Sequence, residues 1–147
     1  MIRILAYRFS AFGDVAMTAP VFREVLEQNP DLEIILVSRN NFRDLFEGIP
    51  NLIFKGIDID DYKGFFGMRK LSNELIKEFN PDFIAGLHNV IRTKILDTIF
   101  KKRGFKISVL DKGKEEKEQL TDIWKLDKNP LQPTTERYAD VFRELGF

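Results

Sequence analysis

Arg8-Phe9-Ser10-Ala11-Phe12-Gly13-Asp14-Val15 is the stretch whose reading decides the fold. The apolar run Ile2 to Tyr7 enters it as a strand, and a helical pattern leaves it. A strand, a tight glycine turn and a helix make the first unit of an α/β domain, and ligands of such domains bind just outside the carboxyl ends of the strands. Gly13 suits a turn that needs positive φ or a close backbone approach. Asp14 falls where a helix begins, so its carboxylate can accept from the unpaired N–H groups of the first turn. The same eight residues also describe a capped βα turn with no chemistry.

Outward from this stretch, Val15, Ala19, Phe22, Val25 and Leu26 recur at helical spacing and give one apolar face. Pro20 lacks an N–H, so either the helix kinks there or residues 14–18 form a separate turn and Pro20 lies in the first turn of the main helix. A second strand spans 32–37, a helix 41–47 and a third strand 52–57. The nearly continuous apolar run of the second strand suits a parallel strand covered on both faces. Leu71, Leu75, Ile76 and Phe79 mark another helix, and 82–87 a fourth strand. Ile95, Leu96, Ile99 and Phe100 carry the next helix, Phe105 to Leu110 form a fifth strand, and Thr134 or Thr135 caps a last helix. This alternation predicts an α/β, Rossmann-like three-layer domain with a mostly parallel central sheet.

Length and composition exclude several classes. The 147 residues suit one domain, and 44% hydrophobic with 31% charged residues describes a globular chain. Twenty-three basic and 23 acidic side chains cancel, which argues against a nucleic-acid partner. There is no cysteine and one histidine, so thiolate and multi-histidine metal sites are not expected. The three aspartates between Asp58 and Gly67 lack calcium-loop spacing, so no metal is predicted there either. Gly13 alone does not supply the three-glycine dinucleotide fingerprint, and no cofactor is expected. The chain enters a strand directly without a cleavable signal pattern, and no apolar run reaches the length of a membrane span, so a cytoplasmic location is predicted.

Glycines and aromatics together make 58–67 read as a flap beside a cleft, with Lys63, Arg69 and Lys70 at its basic far end. His88 and Asn89 stand just past the fourth strand, where ligands bind, and Arg92 begins the following helix. Lys101-Lys102-Arg103 complements a helix dipole at its carboxyl end and is read as a helix terminus.

The run from Arg8 to Pro20, with its basic residue, serine loop, Gly-Asp-Val and Thr-x-Pro, resembles the amino-terminal signature of the ADP-heptose:lipopolysaccharide heptosyltransferases. Residues 81–93 are similar to a second element of that family, although Gly86 replaces a common acidic residue and Asn89 a usual glycine. Residues 134–147 resemble its helix before the interdomain linker. The resemblance implies the amino-terminal half of a GT-B fold. Residues 1–147 would be a single acceptor-side domain, and the donor-binding domain would lie outside this chain. It implies Asp14 as the general base of an inverting transfer. Arg8, Ser10, Gly13, Lys63, Arg69, His88, Asn89 and Arg92 are the candidate acceptor contacts. The partners implied are ADP-heptose or a related nucleotide sugar, held mainly by the other domain, and an anionic lipopolysaccharide-core acceptor. Peripheral association with the inner membrane is compatible with that acceptor. A different class of reading is a stand-alone flavodoxin-like binding or interaction module without catalysis; a third is a degenerate relative kept for protein contacts.

Overall fold

Alternation along the first strand divides the core in two. In the computed structural model, which describes residues 1–110 and 134–147, β1 (Ile2–Tyr7) is buried from Ile4 onward. Successive side chains of a strand point to opposite faces. Ile4 and Ala6 therefore join one apolar cluster with Ile34 and Leu36, while Leu5 and Tyr7 join another with Ile35 and Val37. Four further strands, β2 (Leu32–Arg39), β3 (Leu52–Ile57), β4 (Phe83–Gly86) and β5 (Lys106–Val109), complete a sheet of order β3-β2-β1-β4-β5. All four pairings are parallel, as in a Rossmann-like fold.

Helices cover both faces. On one, α1 (Phe12–Ala16), α2 (Thr18–Gln28) and α5 (Thr134–Glu144) close the first cluster, and the rings of Phe22 and Phe142 meet edge-on at 5.9 Å. On the other, α3 (Gly64–Phe79) and α4 (Ile91–Lys102) contribute Leu71, Leu75, Leu96 and Phe100 to the second. The chain winds outward through β2 and β3, then returns to β4 on the other side of β1. The strand order thus reverses between β1 and β4, and the crevice outside their carboxyl ends is where such sheets bind ligands.

Local details differ from the sequence expectations for physical reasons. The break at Met17 separates α1 from α2 and leaves Pro20 in the first turn of α2, where its missing N–H removes no intrahelical bond. Residues 40–46 form a 3-10 helix rather than an α-helix. Only 58–63 of the expected flap stays outside α3, which takes in Phe65, Phe66 and Gly67. Gly67 is required there, because a Cβ would collide with the backbone carbonyl of Tyr62. Gly13 needs neither positive φ nor close approach: it lies in the first turn of α1, and a Cβ there would meet nothing within 4 Å among the described residues. Residues 111–119, whose sequence reads as a charged, lysine-rich loop, and 123–126, which reads as a short strand or a packed turn, lie outside the described residues.

Candidate functional site

Tyr7 stands opposite Gly86 where β1 and β4 end together. Beyond this pair opens a cleft of about 510 Å³. Phe9 and Ser10 line it from the end of β1, Arg39 from the end of β2, His88 and Val90 from the end of β4, and Ile91 and Arg92 from the first turn of α4. The strand reversal brings these four segments together.

Arg8 organises the rim. Its Nε donates to the Ser10 carbonyl at 2.7 Å and its Nη1 to the Leu87 carbonyl at 3.0 Å, so one guanidinium ties the β1 loop to the β4 loop. Its Nη2 lies 3.2 Å from Asp14 Oδ2, with the Arg8 side chain 12% and the Asp14 side chain 46% exposed. The Ala11 N–H also donates to Asp14 Oδ2, at 3.4 Å. Ala11, not Asp14, is therefore the N-cap of α1, and Asp14 reaches back from the first turn. That long cap bond is weak, so the ion pair with Arg8 orients the carboxylate while leaving nearly half of it open to solvent. From behind, the Tyr138 hydroxyl of α5 donates to the Asp14 carbonyl at 3.1 Å.

Across the cleft, His88 Nδ1 accepts from the Phe9 N–H at 3.4 Å. In the neutral ring this bond places the proton on Nε2. Thr93 Oγ1 donates to the His88 carbonyl at 2.6 Å and accepts from the Val90 N–H at 3.1 Å, which fixes the entry into α4. Asn89 turns its amide to the Leu110 carbonyl at 2.9 Å, joining the ends of β4 and β5. Arg92 is partly exposed in the first turn of α4.

Of the sequence-predicted residues, Ser10, His88 and Arg92 line the cleft, and Arg8, Gly13, Asp14 and Asn89 stand in the segments around it. Lys63 caps α3, and Arg69 lines a separate cavity between α3 and α4. Sequence reading missed Arg39, whose Nε donates to the Phe9 carbonyl at 2.9 Å. Its place at the end of β2 was the available signal, but the strand runs two residues further than the apolar run. Beneath the cleft it also missed Asp97 of α4, which accepts a short hydrogen bond from the buried Tyr7 hydroxyl. Burial pushes the Asp97 carboxyl up to about 6, although the Tyr7 hydrogen bond and Lys94 oppose the rise. Burial, then Asp97, raises Tyr7 well above the usual phenol range. A Cβ on Gly86 would sit 2.9 Å from Asp97 Oδ1, so glycine there leaves room for this carboxylate. Among the described residues no cluster of His, Asp and Glu could hold a metal ion, and no helix is long and apolar enough to cross a membrane.

No family model matches the sequence, and no curated protein matches it. Solved structures do. The chain is similar to a glycosyl transferase of family 9 from Veillonella parvula, at TM-score 0.70 and 19% identity, covering 99% of this chain and 42% of that one. It is also similar to the E. coli heptosyltransferase WaaC with ADP, at TM-score 0.68 and 18% identity, covering 99% and 48%. The same enzyme with ADP-2-deoxy-2-fluoro heptose gives TM-score 0.67 at 15% identity over 97% and 48%. A UDP-N-acetylglucosamine 2-epimerase matches less well, at TM-score 0.52 over 74% of this chain. The chain spans less than half the length of these glycosyltransferases, and over nearly all its own length it has the Rossmann-like fold found in them.

Proposed function

We propose that this chain is the amino-terminal, acceptor-side domain of an inverting glycosyltransferase that moves heptose from ADP-heptose to the lipopolysaccharide inner core. The observation that carries the reading is the Asp14 carboxylate, half-exposed and oriented by Arg8 beside a cleft at the strand reversal. The fold shared with heptosyltransferase WaaC supports it. Asp14 takes the proton of the attacking acceptor hydroxyl as the bond between the anomeric carbon and the diphosphate breaks. The oxygen forms the new glycosidic bond from the opposite face, the nucleoside diphosphate leaves, and configuration inverts in one step. Arg8 acts here as a positioning residue for Asp14, because all three of its nitrogens have partners in the chain. Arg92, in the first turn of α4, would receive an acceptor carboxylate or phosphate in the cleft that Ser10 and His88 also line. The donor nucleotide belongs to a second domain, and the isolated chain is expected to be inactive.

The test is transfer from ADP-heptose by the complete protein and by its Asp14→Asn variant. Loss of a general base should lower turnover by about 10²- to 10⁴-fold while the unfolding midpoint stays put. Turnover within about threefold of the parent would remove Asp14 from the reaction. It would then be a structural partner of Arg8, as in a binding module.

A further inference from the structure

The outer side of α3 and α4 holds a second cavity of about 350 Å³. Arg69 and Asn73 of α3 line it with Thr98, Ile99 and Lys102 of α4, and Phe65 and Arg103 complete the wall. No lining residue is acidic. The three carboxylates on these two helices are engaged elsewhere. Glu74 accepts from the Tyr62 hydroxyl at 2.6 Å, Glu78 pairs with Lys55 at 2.9 Å, and Asp97 is held by Tyr7 inside the core. Among the described residues neither Arg69 nor Lys102 has an ion pair. The Arg103 guanidinium is fixed on the wall by Asn73. Three cations around one opening, in a chain of zero formal charge, make a local positive field. Beside it Phe65 is 53% and Phe66 79% exposed, their rings edge-to-face at 5.6 Å.

We propose that this groove binds a phosphoryl group carried on a partly apolar ligand. Arg69 and Arg103 can each offer a pair of N–H donors to phosphate oxygens, and Lys102 adds a point charge. Thr98 stands on the wall with its hydroxyl donated to the Lys94 carbonyl at 2.8 Å, and Phe65 covers the ligand's apolar side. The groove shares no lining residue with the cleft, so it is a second site and does not depend on the transferase reading. A soluble phosphorylated molecule and a phospholipid headgroup present the same chemistry, and the exposed Phe66 suits the edge of a lipid surface as well as a free ligand's apolar part.

Two probes test this on the 147-residue chain: inorganic phosphate followed by backbone amide shifts, and co-sedimentation with phosphatidylcholine vesicles with or without phosphatidylglycerol. Phosphate is expected to shift the amides of Arg69, Asn73, Thr98 and Lys102. The Arg69→Gln/Lys102→Gln double variant should weaken binding by about tenfold, since two charge-assisted contacts are removed. Retention on the anionic vesicles alone, lost in the double variant and in Phe66→Ser, would assign the phosphoryl group to a headgroup. Phosphate shifts without vesicle retention would assign it to a soluble ligand. Thermal melting confirms that the variants are folded. Neither shifts nor retention, or binding that the double variant leaves intact, would overturn the proposal.

Discussion

Arginines stand at both the cleft and the groove, yet Arg8 and Arg39 at the first are tied into the chain while Arg69 at the second has no ion pair among the described residues. At the cleft, Arg8 is tied to two carbonyls and a carboxylate, and Arg39 donates to the Phe9 carbonyl. At the groove, Arg69 and Lys102 have no carboxylate partner among the described residues, and the nearby acids are turned to other work. Loops at strand ends carry backbone carbonyls that no ladder satisfies, and a guanidinium with five donors can close several at once. Arg69 lies in the middle turns of α3, where a helix leaves no unpaired carbonyls, so it keeps its charge for something outside the chain. Arginine at a strand end is thus first a fastener, and arginine on a helix flank is first a field.

The largest expected effect tests that division. Arg8→Gln removes three contacts from a side chain that is 12% exposed, and should cost about 3 kcal/mol in urea unfolding at roughly 1 kcal/mol each. Arg69→Gln, on the exposed flank, should stay within about 0.5 kcal/mol. Equal costs for the two would erase the distinction between fastener and field.

The fold was legible because its signals are local and redundant. The apolar run from Ile2 to Tyr7, the helical spacing of Phe22, Val25 and Leu26, and the punctuation at Asn80-Pro81 each point to one alternating βα chain. The site was legible only in part. The sheet-end rule pointed to His88, just past β4, whereas Ser10 and Arg92 came from the motif positions of the family resemblance; all three line the cleft. It could not say that Arg8 would bind inward, because Leu87 is 79 residues away from it in sequence. Nor could periodicity reveal Asp97, which sits on the buried stripe of α4 where an apolar residue is the ordinary choice. Gly13 misled for a related reason. Glycine before an apparent helix start suggests a turn, but the helix begins one residue earlier, at Phe12.

A second effect lies beneath the cleft, where a carboxylate rather than an arginine makes the fastening. With Asp97 raised to about 6 in the folded chain and near 3.9 when unfolded, the folded state holds more protons between those values. The resulting stability is full below about pH 4, declines as pH rises through about 6, and is gone above. Asp97→Asn keeps an acceptor for Tyr7 and removes the titration. Its stability relative to the parent should therefore rise by about 2 kcal/mol between pH 4 and pH 7, read from urea midpoints across that range. A difference that stays flat would mean that Asp97 titrates normally and that water reaches it.

Tyr138→Phe should come next, at about 1 kcal/mol, because it deletes the hydroxyl that α5 lends to the Asp14 carbonyl. Faster amide exchange in α1, without change in α3, would show that α5 braces the catalytic candidate from behind. Equal protection of α1 in parent and variant would break that link.

Gly13→Ala carries the smallest effect and separates two reasons for a glycine. In the first turn of α1, where a Cβ would meet nothing among the described residues, alanine should stabilise by about 0.5 kcal/mol, chiefly through a less flexible unfolded chain. Nothing among the described residues occupies the space that a methyl would fill. If acceptor binding by the complete protein is unchanged while stability rises, Gly13 is simply tolerated. If stability rises and acceptor binding falls, the methyl is meeting the acceptor, which would bring a ligand to the first turn of α1, beside Asp14. A loss of stability would contradict the helical placement of Gly13 and return it to the turn that its sequence context first suggested.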